Sequence, residues 1–342
     1  MSDARPSVAA TALIEFGIGE ARALVFEQGN IVEAHIERGG DGLRCGDVWD
    51  ARLTSILLAG RRGIVRAGVD EAVLEPLPPA LTEGAMVRVE ITREALPEAG
   101  RQRLAKARVK GTPGASSGPV SAGPSLAARL QARGIVCRTL PRHGVDELEA
   151  AGWSELIETA TTGHVGFDGG LLTISPTPAM TVIDVDGPLP PAELACRAAV
   201  AAAHAIRRFD ITGSIGIDFP GTDRAVRVQL AGLLDQHLPA PFERTAVNGF
   251  GFVQIVRPRS RASLLERVHG KVVATASLAL LRRAERSVGS GARTLVADAA
   301  VIAWLGDRPA LQDELATRLG TSVCLQADAA LAISAAYAAC QP

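Results

Sequence analysis

The stretch AMTVIDVDG, residues 179–187, is a mostly apolar, β-like run that leads into Asp184, Val185, Asp186 and Gly187. Thirty-four residues on, SIGIDFPG repeats the figure, with an apolar run ending in Asp218. Between them PPAELACRAAVAAAHAIRRF, residues 190–209, reads as a helix, with Pro at its start, Glu193 in the first turn and Arg207 and Arg208 in the last. Strand, helix and strand make a βαβ unit, which predicts Asp184 and Asp218 at the ends of two parallel strands of one sheet. Open α/β sheets build their sites at that edge, and neighbouring strands lie ~4.8 Å apart. Two carboxylates so placed can share one divalent ion, with Asp186 as a further ligand or acceptor. Unpaired, they repel one another and take up protons. A hard cation such as Mg²⁺ takes few carboxylates and keeps its waters, so it relieves that repulsion. Such an ion polarises a phosphate or activates a water. An Asp after a strand is also an ordinary helix cap or turn residue, and spacing alone leaves both roles open.

The rest of the chain must position these residues. Its 342 residues, 47% hydrophobic, suffice for two or three domains with their own cores. Net charge is −1, so a polyanion would have to be met by a local basic patch or a metal. The five cysteines form no CxxC pair, so no structural zinc is expected, and their odd, scattered count fits a reducing compartment. The N-terminus lacks the apolar core of a signal peptide, and VVATASLALL is too short to span a bilayer, so a cytoplasmic protein without membrane contact is expected.

Residues 1–42 read as strands expected to pack on the core, and 43–110 as a small barrel of short strands broken by Gly, Pro and charge. Residues 111–124, GTPGASSGPVSAGP, have nothing large to bury and read as a flexible linker. Residues 125–165 carry a short helix capped by Ser125, the strand IVCRTL and a helical stretch. Residues 166–262 hold the aspartates, and 263–342 give a helix and a small βαβ-like domain. The expectation is an α/β chain in the multi-domain α+β sense. A β-barrel is inserted before a parallel or mixed-sheet core.

Beyond the aspartates, basic residues are the candidates for phosphate contact. Arg103, Lys106 and Arg108 fall in a run with Arg101 and Lys110, where alternate strand positions can form a phosphate-binding stripe. Arg224 and Arg227 open the helix after Asp218, where basic residues oppose the dipole. Arg257 and Arg259, with Arg261, follow the strand FVQIV and are expected near the same sheet edge. Each is also an ordinary solvated charge in its own right.

GGLLTISPTPAMTVIDVDG, the Ala-rich helix, RRFDITGSIGIDF and GFGFVQIVRPRSRASL together resemble the catalytic core of the ribonuclease E/G family of bacterial endoribonucleases. GEARALVFEQGNIVEAHIER resembles that family's N-terminal segment. The barrel resembles its S1 (OB-type) RNA-binding domain, GIVCRTL its 5′-monophosphate sensor strand and the C-terminal unit its small domain. The resemblance implies Mg²⁺-dependent hydrolysis of single-stranded RNA in RNA processing. It makes Asp184 and Asp218 the metal ligands, with Asp186 assisting as a third catalytic residue. It also makes Arg138 and Thr139 the 5′-phosphate pair.

The chain departs from that pattern in several places. Asp186 stands where the family has Asn, only 44 residues separate Thr139 from Asp184, and the CxxC zinc-link between subunits is absent. Trp49 is the barrel's only aromatic, although OB-type surfaces stack bases on rings. A homodimer, if formed, would lack the zinc-link. Two alternatives stay open: a catalytically impaired RNA-binding relative acting as partner or regulator of RNA decay, and an α/β metal-dependent phosphatase or nucleotide-handling enzyme on a similar sheet.

Overall fold

Short runs of alternating apolar and polar residues, punctuated by glycines with positive φ, fold into many brief strands. The structure, a computed structural model, describes residues 10–340 apart from 41, 99, 100, 222 and 290, and leaves out the side chains of 98, 101 and 102. The chain opens with β1 (Thr11–Phe16), β2 (Glu20–Glu27) and β3 (Asn30–Arg38). Then come β4 (Val48–Leu58), β5 (Arg62–Ala67), β6 (Asp70–Leu74), β7 (Met86–Arg93), the hairpin β8 (Leu96–Glu98) and β9 (Arg101–Arg103), β10 (Ala105–Val109) and β11 (Gly118–Ser121). Helix α1 (Leu126–Ala132), β12 (Val136–Thr139), α2 (Glu147–Ala150) and α3 (Trp153–Thr162) follow. The aspartate-bearing region runs β13 (His164–Phe167), β14 (Gly170–Pro176), β15 (Thr181–Asp186), α4 (Pro191–Arg208), β16 (Gly213–Asp218), α5 (Arg224–His237), β17 (Glu243–Arg244) and β18 (Phe252–Arg257). The chain closes with α6 (Leu264–Val268), α7 (Val272–Arg286), β19 (Arg293–Ala297), α8 (Ala299–Gly306), α9 (Pro309–Leu319), β20 (Val323–Ala327) and β21 (Tyr337–Cys340). Among the described residues no helix is long and apolar enough to cross a membrane.

The chain divides into two units, each discontinuous in sequence. The first comprises Met1–Gly39, Leu130–Thr162 and Arg267–Pro342. Its sheet has the order β12-β1-β2-β3, and a second, smaller sheet has the order β20-β19-β21, with β19 and β20 parallel and joined through α8 and α9. The N-terminal strands β1, β2 and β3 belong to this unit. They form their own sheet, with β12 added in parallel to β1. The interior of this unit is unusually ionic. Arg22 donates to Glu15 at 2.5 Å and to Asp146, its guanidinium carbon 5.2 Å from the Trp153 ring centroid. Glu20 accepts from Arg38 at 3.2 Å and from Arg282, and Arg286 reaches Glu15 at 2.6 Å. Burial, with the neighbouring Arg22 charge adding to it, pushes the Arg282 guanidinium below its ordinary basicity, and the carboxylates of Glu20, Glu15 and Asp146 oppose that shift.

The second unit comprises Gly40–Arg129 and Gly163–Glu266. Strands β4, β5, β6, β10 and β7 close into a five-stranded barrel through the β4–β7 pairing, with β6 and β10 parallel. Its core is Leu53, Val65, Leu74, Val89, Ile91 and their neighbours, with Trp49 packed against it. The segment read as a flexible linker is a correction: β11 lies within it and pairs antiparallel with β4. Ser117 donates to the Asp50 carbonyl at 3.0 Å and Gly123 N–H to Asp47 Oδ1 at 2.7 Å. Backbone pairing needs no apolar side chain. Close approach does need small ones: a Cβ at Gly123 would stand 2.5 Å from the Cys45 carbonyl.

The remaining sheet of this unit is mixed, in the order β13-β14-β15-β16-β18-β17, and only β15 and β16 run parallel. Helix α4 packs on β13, β14 and β15 and against α5. Its alanines Ala195, Ala198, Ala199, Ala202 and Ala203 are fully buried, which lets the backbone lie close to the sheet. Contacts between the barrel and the loops of this sheet include Glu94 N–H donating to Ser260 O at 2.8 Å and Arg103 Nη2 to Pro178 O at 3.5 Å.

Candidate functional site

The order of exposure along β15 and β16 explains how the chain tolerates its carboxylates. Thr181, Ile183 and Val185 of β15 are buried, while Asp184 and Asp186 are exposed. In β16, Ile215 and Ile217 are buried and Asp218 is exposed. One face of the sheet thus meets the helices, and the aspartates stand on the other, so the cost of burying charge is avoided.

Register brings two of them together. Asp184 is the direct partner of Asp218 in the parallel pairing of β15 with β16. In-register neighbours point to the same face with their Cα atoms about 4.8 Å apart. Asp218 is the last residue of β16, whereas β15 continues two residues past Asp184 to Asp186. Asp186 shares the face but stands about 6.6 Å further along the strand. Among the described residues no group of three His, Cys, Asp or Glu side chains converges as a metal cluster. Among the described residues none makes an ion pair or hydrogen bond with the side chain of Asp184, Asp186 or Asp218. The pair alone fits a hard ion that takes two protein carboxylates and otherwise keeps water.

The same row extends across the sheet. Thr173 partners Asp184, His164 partners Thr173, and Phe252 partners Asp218 from the other side. The Phe252 ring lies over Gly216, where a Cβ would stand 2.5 Å from the ring and 3.0 Å from Met180 Sδ. Sequence reading missed His164, Thr173 and Phe252. Their signal is parity with the aspartates once strand direction is known, and direction was not available.

Arg257 and Arg259 are placed away from the carboxylates. Strand β18 runs antiparallel to β16, so Phe252 aligns with Asp218 while Arg257 aligns with Gly213 at the opposite end. Five residues of strand separate them, about 17 Å. Arg257 donates to Ile211 O at 2.8 Å, and Arg259 pairs with Glu266. The reading that set them at the aspartate edge is corrected: the chain reverses at β17, only two residues long. Arg224 and Arg227 do follow Asp218 on the expected side, in the first turn of α5, which Asp223 caps by accepting from Val226 N–H at 2.9 Å.

In the barrel, Lys106, Arg108 and Lys110 alternate along β10 and beyond it. Each stands beside a carboxylate. Glu90 accepts from Arg108 at 2.7 Å and Lys110 at 2.9 Å, and Glu75 lies 2.9 Å from Arg62 and 3.5 Å from Lys106. Hydrogen bonds from Lys110 and then Arg108 hold the Glu90 carboxyl below its ordinary range. Two cations per acid leave this face net positive. Arg103 is exposed, and the side chain of Arg101 lies outside the described residues.

Arg138 and Thr139 lie on β12 in the other unit, in register with Leu13 and Ile14 of β1. The Arg138 guanidinium makes two hydrogen bonds to Glu147, at 2.9 and 2.5 Å. This pairing raises the basicity of Arg138 and lowers the Glu147 carboxyl.

Compared with known proteins, the chain matches no family model, and no curated protein matches it in sequence.

Proposed function

We propose that the chain is a Mg²⁺-dependent endoribonuclease that hydrolyses single-stranded RNA, on the pattern of the ribonuclease E/G family that its sequence resembles. The observation that carries this reading is the register pairing of Asp184 with Asp218 on an open sheet face. Asp184 and Asp218 would hold the ion, with Asp186 accepting hydrogen bonds from its waters. The ion would supply Lewis-acid polarisation of the phosphodiester and a more acidic bound water. The chain's own part is to fix two carboxylates one strand apart, to leave the rest of that face open to a polymer, and to set Arg224 in the adjoining helix turn for the phosphates. The barrel's strand order, with its parallel β6–β10 pairing, supports an S1-type module, and its net positive β10 face suits an RNA backbone.

The test is cleavage of a 5′-monophosphorylated, AU-rich single-stranded RNA with and without Mg²⁺, comparing wild type, Asp184→Asn and Asp218→Asn. The proposal expects Mg²⁺-dependent endonucleolytic products from wild type and at least a 100-fold loss in each variant, the scale of losing a transition-state charge stabiliser. RNA binding without cleavage would point to the non-catalytic relative. Turnover of mononucleotides but not of the oligomer would point to a phosphatase.

A further inference from the structure

We propose that Phe250 is a base-stacking residue that holds a nucleobase beside the phosphodiester at the aspartate pair; the inference rests on the RNA-cleaving reading above. A single exposed apolar side chain is ordinary on a protein surface, so exposure alone carries nothing. Three further observations do.

First, the ring is held out by a built loop. Phe250 is 89% exposed at the tip of the segment joining Asn248 to Phe252. Asn248 Oδ1 accepts from the N–H groups of Phe250 and Phe252 at 2.9 and 3.0 Å. The Asn248 carbonyl accepts from Gly251 at 3.1 Å, and Asn248 N–H donates back to Phe252 O at 2.9 Å. Gly251 sits at φ +93°, where a Cβ would lie 2.3 Å from the Phe219 carbonyl. No side chain but glycine's fits that close approach.

Second, the loop stands at the aspartates. Gly251 O accepts from Phe219 N–H at 3.2 Å, and Phe252 is the register partner of Asp218. Two residues of chain and one strand spacing put the Cα of Phe250 within about 12 Å of that of Asp218. A base stacked there belongs to a nucleotide next to one whose phosphate meets the carboxylate pair.

Third, the barrel offers only one ring, and that ring is half-buried. Trp49, its only aromatic, is packed against the barrel core. Single-stranded RNA binders gain affinity from aromatic faces without sequence preference. In this chain, 4% aromatic overall, Phe250 and the Phe252 ring over Gly216 put that chemistry at the sheet edge instead.

The experiment compares wild type, Phe250→Ala and Phe250→Trp on a 5′-monophosphorylated U-rich single-stranded oligonucleotide, intact or with one abasic nucleotide moved stepwise past the cleavage site. The expected result is a roughly 5- to 150-fold rise in KM for Phe250→Ala, the range of one lost stack. The loss in kcat should be smaller, and Phe250→Trp should restore KM. At one abasic position wild type should lose the same factor and Phe250→Ala no more. A wild-type-like Phe250→Ala, or abasic and Phe250→Ala losses that multiply at every position, overturns the proposal. Should wild type fail to cleave, the parent reading falls, and stacking is read from fluorescence. Quenching of the Phe250→Trp signal by the oligonucleotide, above that of wild type, sustains stacking on a binding face, and its absence overturns it.

Discussion

Arg138 and Glu147 form a two-pronged ion pair, guanidinium on carboxylate, at the exposed end of β12. On the 5′-phosphate reading of Arg138 that the resemblance implies, the guanidinium is already occupied by a rival anion. Guanidinium binds phosphate with the same fork it offers a carboxylate, so a 5′-monophosphate must displace Glu147. Glu147→Gln should therefore raise the preference for 5′-monophosphorylated over 5′-hydroxyl RNA by a few-fold, and Arg138→Gln should abolish it. Competition between the two RNAs measures this directly. Equal affinity for both ends in all three proteins would remove Arg138 from the site.

Like charges directly opposite one another on neighbouring strands destabilise a sheet on the scale of cross-strand pairs, up to about 1 kcal/mol. Asp184 and Asp218 are such a pair. In EDTA, Asp184→Asn and Asp218→Asn should each raise the melting temperature of the second unit by about 2–4 °C per kcal/mol relieved. Mg²⁺ should stabilise wild type and leave both variants unmoved, since a ligand that binds only the native state shifts stability by mass action. Differential scanning calorimetry with and without Mg²⁺ separates the two effects. Identical melting of all three proteins under both conditions would show that the pair holds no ion.

How much of this was written in the sequence depends on the kind of interaction. The Asp184–Asp218 alignment was readable because a strand, an Ala-rich helix and a strand leave few topologies open. The fate of Arg257 and Arg259 was not. Helix α5 followed by a strand reads as another parallel step, but the chain first makes β17, then turns back as β18. Two residues carry no periodicity. Residues 111–124 failed for a different reason: β11 is held through backbone groups and small residues, which composition scores as linker. The two discontinuous units were equally invisible, because nothing local in Gly39 or Leu130 marks where the chain leaves one core for another.

The acid side of the stability curve follows from the first unit. Burial pushes the Glu33 carboxyl up, but hydrogen bonds from His35 and Arg133 outweigh it and hold the group well below its ordinary 4.5. Asp146 is likewise raised by burial yet held below 3.8 overall, through Arg22, the Glu149 N–H and Arg286. A carboxyl depressed in the folded state stabilises it fully above the unfolded value and loses that contribution as pH falls through the folded one. The first unit should therefore hold its stability down to about pH 4.5 and lose it progressively below. Glu33→Gln should cost about 1–3 kcal/mol at pH 7 and flatten the slope below pH 4.5. Urea melts between pH 3 and 7 report both, and a slope unchanged in the variant would exclude Glu33 as its source.

The basic face of the barrel gives a salt-dependent prediction. Glu90 alone holds both Arg108 and Lys110. Glu90→Gln removes a negative charge from that face and releases two cations to phosphate. Each phosphate neutralised adds about 0.7 to the slope of log affinity against log salt for a single strand. Glu90→Gln should thus bind single-stranded RNA more tightly at low salt, with a slope steeper by about 0.7–1.4. Adding Arg108→Ala to Glu90→Gln should take back about 0.7 of that slope. Titrations by fluorescence anisotropy at several salt concentrations measure the slopes. If RNA runs along β10, the two substitutions move the slope in opposite directions. If it runs elsewhere, both leave the slope where wild type has it, because a distant charge releases no counterion from the strand.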